Sequence, residues 1–151
     1  DGDAGGAAGY ASIVLPTVDL AAGGYYVVCG QTGNGVPLVN CDLDTSPDTD
    51  LLQDGAPDAV GLRLAGVLLD TVSYGGDTGA PYTEGNGAAP DPPAEPMASL
   101  SRIFDGFDSG DNSADFSVLC ATPKLANGSS SPAGPPGCLM VPVELLHFAV
   151  D

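Results

Sequence analysis

Residues 51–76, LLQDGAPDAVGLRLAGVLLDTVSYGG, contain two apolar runs rich in β-favouring residues. The runs are residues 59–64 and 67–74, and an Ala-Gly pair at 65–66 separates them. A Gly-Ala-Pro-Asp turn precedes the first run, and a Gly-Gly pair follows the second. Short β-favouring runs bounded by turn residues predict a β-hairpin. The sequence therefore predicts strands rather than helices at its centre.

The composition extends this prediction to the whole chain. Among 151 residues there are 22 Gly and 14 Pro, but only 3 Lys and Arg together. So many turn residues, with so few helix formers, favour short strands over long amphipathic helices. The length fits one domain. Five further short strands are predicted, at residues 11–15, 25–29, 36–40, 97–103 and 116–120.

The net charge of −17 excludes several kinds of partner. Phosphate backbones need Lys and Arg as counter-charges, so we expect no nucleic-acid partner. The same charge disfavours docking to anionic lipid, and no run of 18 apolar residues is present to span a bilayer. We therefore expect no membrane insertion. A highly acidic surface is also what keeps a protein soluble in an ionic medium.

Between Ile13 and Asn127, several runs resemble those of a bacterial lamin tail domain, both in their residues and in their order along the chain. Besides the hairpin, these runs are YYVVCG at 25–30, NCDLDTSPDT at 40–49, LSR at 100–102 and DGFDSGDNSADF at 105–116. The resemblance implies an all-β fold, an immunoglobulin-like antiparallel β-sandwich with long Gly/Pro-rich loops. It also implies a non-catalytic module of secreted or surface proteins. Lamin-tail-like modules often accompany secreted hydrolases such as nucleases and phosphatases, so an accessory surface- or substrate-binding domain is the alternative.

The chain is predicted to have four parts. Residues 1–10 form a flexible arm, 11–127 the lamin-tail-like sandwich, 128–140 a Ser/Pro/Gly-rich linker, and 141–151 a detached C-terminal strand. From Leu146 onward, apolar and other residues alternate, which is typical of a half-buried strand.

One departure from the family pattern suggests assembly. Typical lamin tail domains open with strands carrying Asn-Glu and a Glu-Phe-Val-Glu-like run, followed by a Gly-Trp segment. None of these is present, and the chain has no Trp. A sandwich without its first strands would expose apolar side chains and unpaired backbone groups. Either those strands lie upstream in a longer precursor, or a neighbouring chain adds a strand.

Segment 141–151 is the predicted donor of that strand. Its assembly residues are Val143, Leu145, Leu146, Phe148 and Val150. Head-to-tail donation does not close on itself, so its repetition would build a filament. The expected partners are copies of the chain itself, or a component of the cell surface or extracellular matrix. Pairing of the segment within its own chain is the alternative.

Four cysteines in an acidic, turn-rich chain suggest an oxidising, extracellular or cell-surface location. They are Cys29, Cys41, Cys120 and Cys138. Three pairings are open, and we favour the local one, in which the first two and the last two each close a loop. A zinc site is disfavoured because there is no Cys-x-x-Cys spacing and only one histidine.

Carboxylates in the 105–116 segment suggest calcium as a possible cofactor, because they supply hard oxygen ligands. The candidate ligands are Asp105, Asp108, Asp111 and Asp115. A second acidic cluster comprises Asp42, Asp44, Asp48 and Asp50. In both clusters the alternative is turn chemistry, in which Asp and Asn side chains accept backbone N–H bonds.

We expect no enzyme activity. The bases available to a nucleophile are His147 and Lys124, and neither stands in a catalytic motif. Scattered carboxylate pairs are inevitable among 20 acidic residues, so they do not indicate a glycosidase. Asn127-Gly128-Ser129 matches the N-glycosylation sequon.

Overall fold

The chain is described from a computed structural model, which covers residues 9–30, 41–45, 52, 56–87, 89–90, 98–127 and 138. Its elements are β1 Val28–Cys29, β2 Leu43–Asp44, β3 Asp58–Leu64, β4 Val67–Tyr74, β5 Ala98–Arg102, α1 Asn112–Asp115 and β6 Phe116–Cys120. Strands thus predominate, and the one helix in these ranges has four residues. The strands form two-stranded sheets: β3–β4 and β5–β6 are antiparallel, and β1–β2 is parallel. This architecture is consistent with the predicted all-β class.

The β3–β4 hairpin confirms the prediction from the central stretch. Ala65 and Gly66, with φ angles of 48° and 83°, connect the strands. Two central residues with positive φ characterise the type I′ turn, whose twist matches that of the flanking strands. The register shifts by one residue between Leu62 and Arg63, which leaves Leu69 as the extra residue of a bulge.

The β5–β6 pair lies where residues 97–103 and 116–120 predict strands. Its register runs from Ala98 opposite Cys120 to Arg102 opposite Phe116. At the Arg102 end, the guanidinium group contacts the carboxylate of Asp70 on β4 with N–O distances of 2.7 and 2.8 Å. This contact connects the second sheet to the hairpin.

Other strand predictions are corrected or lie outside the described residues. Residues 11–15 form no strand, and their side chains are exposed, so that prediction is wrong. Apolar residues alone do not make a strand when no neighbouring strand pairs with them. The strand predicted at 25–29 is limited to Val28–Cys29. The strand predicted at 36–40, most of the arm and the linker, and segment 141–151 lie outside the described residues.

Both disulfides have the local pairing that the sequence favoured. Cys29 is bonded to Cys41 with a Cα–Cα distance of 5.9 Å, and Cys120 to Cys138 with 5.2 Å. The first bond secures the two-residue strands β1 and β2, which have few ladder bonds of their own. Two disulfides are typical of proteins in oxidising compartments, outside the cytoplasm.

Candidate functional site

In the described part of the chain, most of the buried residues are polar and many large apolar residues are exposed, which is the reverse of the usual pattern in globular proteins. The buried apolar residues there are Tyr74, Ala89 and Cys120. The buried polar or charged residues are Asp58, Thr71, Ser73, Thr78, Asn112, Asp115 and Thr122. Large apolar side chains, in contrast, are exposed along residues 10–25, the hairpin and the loop after β5. A buried polar group and a contiguous exposed apolar patch both depart from the usual pattern, so each points to a structural or functional role.

The hairpin has one covered face. Side chains alternate between the faces of a strand, so Ala59, Gly61, Thr71 and Ser73 share one side. Thr71 and Ser73 are buried there. The ring of Tyr82, from the loop after β4, lies so close to Gly61 that an added Cβ would be 3.3 Å from it. The loop therefore closes this face.

The opposite side of the hairpin includes Val60, Leu62, Leu64 and Val67, which form the apolar face. These side chains are 42%, 50%, 66% and 63% exposed, respectively. Asp70, which lies opposite Leu62 and is bonded to Arg102, is on the same side, as are the buried Asp58 and Tyr74. Exposed apolar side chains gathered on one surface are typical of an interaction site. The apolar face is therefore the candidate functional site.

Strand β3 also presents an edge. Within the described ranges its one strand neighbour is β4. The far side of β4 is partly covered, because Ala89 forms a bridge beside Tyr74 and accepts a bond from the Gly75 N–H. Beside β3 those ranges hold no further strand, although Asp58 at its start is buried and its carboxylate accepts a bond from the Tyr10 hydroxyl at 3.3 Å. An uncovered strand edge is a template for pairing with another strand.

A second exposed apolar patch lies at the turn after β5. The rings of Phe104 and Phe107 meet edge to face, with centroids 6.3 Å apart, and are 68% and 50% exposed. The Arg102 guanidinium donates to the Phe107 carbonyl at 2.8 Å, which fixes the turn. This patch has acidic neighbours in the chain, Asp105 and Asp108.

The segment DGFDSGDNSADF forms a hydrogen-bonded joint centred on the buried side chain of Asn112. Its Oδ1 accepts from the backbone N–H groups of Ser73 and Glu84 at 3.0 and 3.2 Å. Its Nδ2 donates to the Thr71 carbonyl at 3.0 Å and to the Glu84 carboxylate at 3.1 Å. One amide thus connects β4, the following loop and α1.

Arg102 provides the positive charge in the same region. Its guanidinium lies 2.7 Å from Asp70, 3.5 Å from the buried carboxylate of Asp115 and 3.8 Å from Asp108. It also stacks over the Phe116 ring, 4.7 Å from the centroid. Hydrogen bonds from Ser109, with Arg102 nearby, hold the pKa of Asp115 below its ordinary value. The guanidinium therefore neutralises carboxylates that sequence reasoning assigned to calcium.

The other two predicted calcium ligands have protein partners of their own. Asp111 caps α1 by accepting from the Ser113 N–H at 3.1 Å. Bonds from the side chains of Ser113 and Asn86 lower its pKa to about 2. Asp105 accepts from the Tyr25 hydroxyl, and this bond lowers the pKa of the carboxyl.

No group of three or more His, Cys, Asp or Glu side chains is arranged to hold a metal ion among the residues that the structure describes. The four aspartates instead accept hydrogen bonds within turns and across the joint, as turn chemistry predicts. The calcium site stays a prediction.

The other residues that the sequence singles out as candidate site residues also contact the protein, where the structure describes them. Asp42 accepts from the Val27 N–H at 2.7 Å and from the Lys124 ammonium at 2.7 Å, which lower its pKa. The Nδ2 of Asn127, the atom a glycan would occupy, donates to the Arg102 carbonyl at 2.9 Å. Asp48, Asp50 and His147 lie outside the described residues.

Sequence reasoning did not identify the apolar face or the central position of Asn112. Alternation in β3 could have indicated the former, because Val60, Leu62 and Leu64 stand at every second position. Nothing local marks Asn112, whose partners are 28 to 41 residues away in the chain.

Comparison of the chain with protein-family models, with curated proteins and with solved structures yields no match. In the part of the chain that the structure describes, no helix has the length and apolar character needed to cross a membrane.

Proposed function

We propose that the chain is a non-catalytic extracellular structural or adhesive module, and that it is a filament subunit assembling by β-strand complementation. The fold proposed for it is an immunoglobulin-like sandwich similar to a lamin tail domain. The apolar face of the hairpin, next to the edge of β3 that no described strand pairs, is the observation that carries this proposal. A surface of this kind binds another polypeptide rather than a small substrate.

The magnitude of the apolar burial favours strand addition over simple face contact. Fully burying a Val or Leu side chain contributes about 2 kcal/mol. The four side chains of the apolar face are about half exposed, so covering them contributes at most about 4 kcal/mol. Association costs at least about that much in lost rotational and translational freedom. Backbone hydrogen bonds from an added strand supply a further contribution, together with register and direction.

The net charge of −17 makes this association sensitive to ionic strength. Copies of the chain repel each other over a distance that salt shortens, from about 30 Å at 0.01 M to about 8 Å at physiological ionic strength. The two disulfides agree with an extracellular site of assembly. Assembly should therefore increase as salt is added.

The test is size-exclusion chromatography of the purified chain with negative-stain electron microscopy, at low and at high salt. Regular filaments, more abundant at high salt, are the expected result. A sharp monomer peak without filaments at both salt concentrations would contradict the proposal. The alternative, an accessory surface- or substrate-binding domain of a larger secreted hydrolase, would then be favoured, with the apolar face resting on a neighbouring domain.

A further inference from the structure

Residues 84–87, EGNG, close around the side chain of Asp111 and form what we call the clasp. The Asn86 backbone N–H and side-chain Nδ2 both donate to Oδ2 of Asp111, at 3.1 and 2.8 Å. Gly85 lies so close that an added Cβ would be 2.5 Å from the Asp111 Cβ. The carbonyl of the first clasp residue accepts from the Asn112 N–H at 3.2 Å, so the clasp adjoins the joint.

Asn86 and Gly87 have the residue types and the exposure that deamidation needs. Asn86 is exposed and Gly87 is half-buried, in a stretch with neither helix nor strand. Because glycine has no Cβ, its backbone nitrogen approaches the preceding side chain without hindrance. In this reaction the Gly87 nitrogen bonds to Cγ of Asn86, the Cγ–Nδ2 bond breaks, and ammonia leaves with the proton of the Gly87 N–H. Water then opens the cyclic imide at either carbonyl, which gives aspartate or isoaspartate at position 86.

The fold does not require a glycine at position 87. Gly85 does need to be glycine, because its φ of 68° is left-handed and Asp111 leaves no room for a side chain. The φ of Gly87 lies outside the left-handed region, and an added Cβ would be 3.7 Å from the Ser113 Cβ, an ordinary van der Waals contact. Alanine therefore fits at position 87. The distinct effect of the glycine is on the reactivity of Asn86.

We propose that Asn86-Gly87 is a modification site of the chain, and that deamidation of Asn86 opens the clasp. The reaction replaces a donor 2.8 Å from the Asp111 carboxylate with a second carboxylate. The hydrogen bond is lost, and like charges this close repel each other. The clasp already contains the Glu84 carboxylate, and the three basic side chains of the chain contact other residues. The site belongs to the joint and not to the apolar face, so it is independent of filament assembly.

Opening of the clasp reaches the buried centre of the joint. The Glu84 N–H donates to Oδ1 of Asn112 at 3.2 Å, and Asp111 caps α1 by accepting from the Ser113 N–H. Both contacts depend on residues 84–87 remaining in place against Asp111. Because deamidation consumes only water, the modified form accumulates with time. The joint therefore weakens as the chain ages.

The first test follows the reaction in the full chain with its disulfides intact. The chain is incubated in mildly alkaline buffer, and peptide mapping by mass spectrometry measures aspartate and isoaspartate at position 86. The wild type should accumulate both products, and Gly87→Ala should convert several-fold more slowly. Retention of Asn86 in the folded chain, under conditions in which the urea-unfolded chain loses it, would overturn the site. An equal rate in Gly87→Ala would overturn the cyclic-imide route.

The second test measures whether the clasp opens. Asn86→Asp reproduces one product, and Asn86→Ala is the matched control, because both variants lose the bond from Nδ2 and only the first adds a charge. At neutral pH the urea midpoint of Asn86→Asp should be the lower of the two. The difference should shrink as the pH falls toward 3.8, the ordinary carboxyl pKa, where a proton is shared by the pair. Equal midpoints at neutral pH would overturn the opening of the clasp.

Two further measurements make the result independent of that one variant. Val14→Asp adds the same charge at a position that is 88% exposed, and it should leave the midpoint unchanged. Incubated wild-type chain should unfold at lower urea than fresh chain, whereas Gly87→Ala should lose less over the same time. An incubated wild type that is converted at position 86 and unfolds at the same midpoint as fresh chain would also overturn the opening of the clasp.

Discussion

The joint around Asn112, which bonds the backbone of β4, and the apolar face of the hairpin distribute polarity in opposite ways. At the joint, an amide, a carboxylate and two hydroxyl-bearing side chains are buried. On the apolar face, the Val and Leu side chains are 42–66% exposed. The described part of the chain is therefore held together by directional polar bonds. Much of its hydrophobic surface is left for contact with something else.

This division has an energetic consequence. A satisfied buried hydrogen bond contributes only about 1 kcal/mol net, but leaving a buried partner unsatisfied costs about 1–3 kcal/mol. The joint is therefore sensitive to single substitutions. Exposed apolar side chains contribute little to the isolated chain, and their removal should affect association instead. Four predictions test this difference, in order of decreasing effect.

The largest effect is expected from Asn112→Ala. The substitution leaves the Thr71 carbonyl and the N–H groups of Ser73 and Glu84 without their partner. At about 1–3 kcal/mol for each unsatisfied buried group, the free energy of unfolding should fall by about 4 kcal/mol. Urea unfolding measures this loss. Asn86→Ala, which removes an exposed amide bonded to Asp111, is the matched control and should cost clearly less.

Removal of the first disulfide should have the next largest effect. Cys29 and Cys41 are 12 residues apart, and the loop-entropy model assigns a loop of this size about 3 kcal/mol. The double variant Cys29→Ser with Cys41→Ser should lose about that much in urea unfolding. The corresponding change at Cys120 and Cys138 should cost slightly more, because its loop of 18 residues is longer. Unchanged stability in both double variants would contradict this prediction.

A smaller, pH-dependent loss is expected from the carboxylates of the joint. Bonds from Ser113 and Asn86 lower the pKa of Asp111 from 3.8 to about 2. The folded state binds its proton less readily than the unfolded state, so this stabilisation is complete above pH 3.8 and declines as the pH falls to about 2. Unfolding curves over that range should show the decline. Asp111→Asn should reduce the slope of the free energy of unfolding against pH. An identical slope in the variant would show that other groups cause the decline.

The smallest effect is expected on the apolar face. Leu62→Asn should change the free energy of unfolding by less than about 0.5 kcal/mol, because the side chain is already 50% exposed. Urea unfolding of the monomer at low salt is the measurement. A loss above about 1 kcal/mol would mean that this face is covered within the isolated chain, which would remove the contrast with the joint.

The sequence determined the elements whose signals are local. Two β-favouring runs with an Ala-Gly pair between them specify the hairpin, because that pair adopts the positive φ angles of a type I′ turn. The strand at Phe116–Cys120 was predicted with its observed bounds. Preference for short loops likewise gave the disulfide pairing. In each case the deciding residues are neighbours in the chain.

Tertiary structure alone decided which polar groups are buried and which apolar groups are exposed. The residues that surround Asn112 come from β4 and the loop after it, and Arg102 meets Asp70 across 32 residues of chain. A carboxylate in a turn has the same sequence signature whether a cation, a backbone N–H or a guanidinium neutralises it. The partner depends on which distant segments pack together, and packing in this chain places Arg102 beside Asp70 and Asp115.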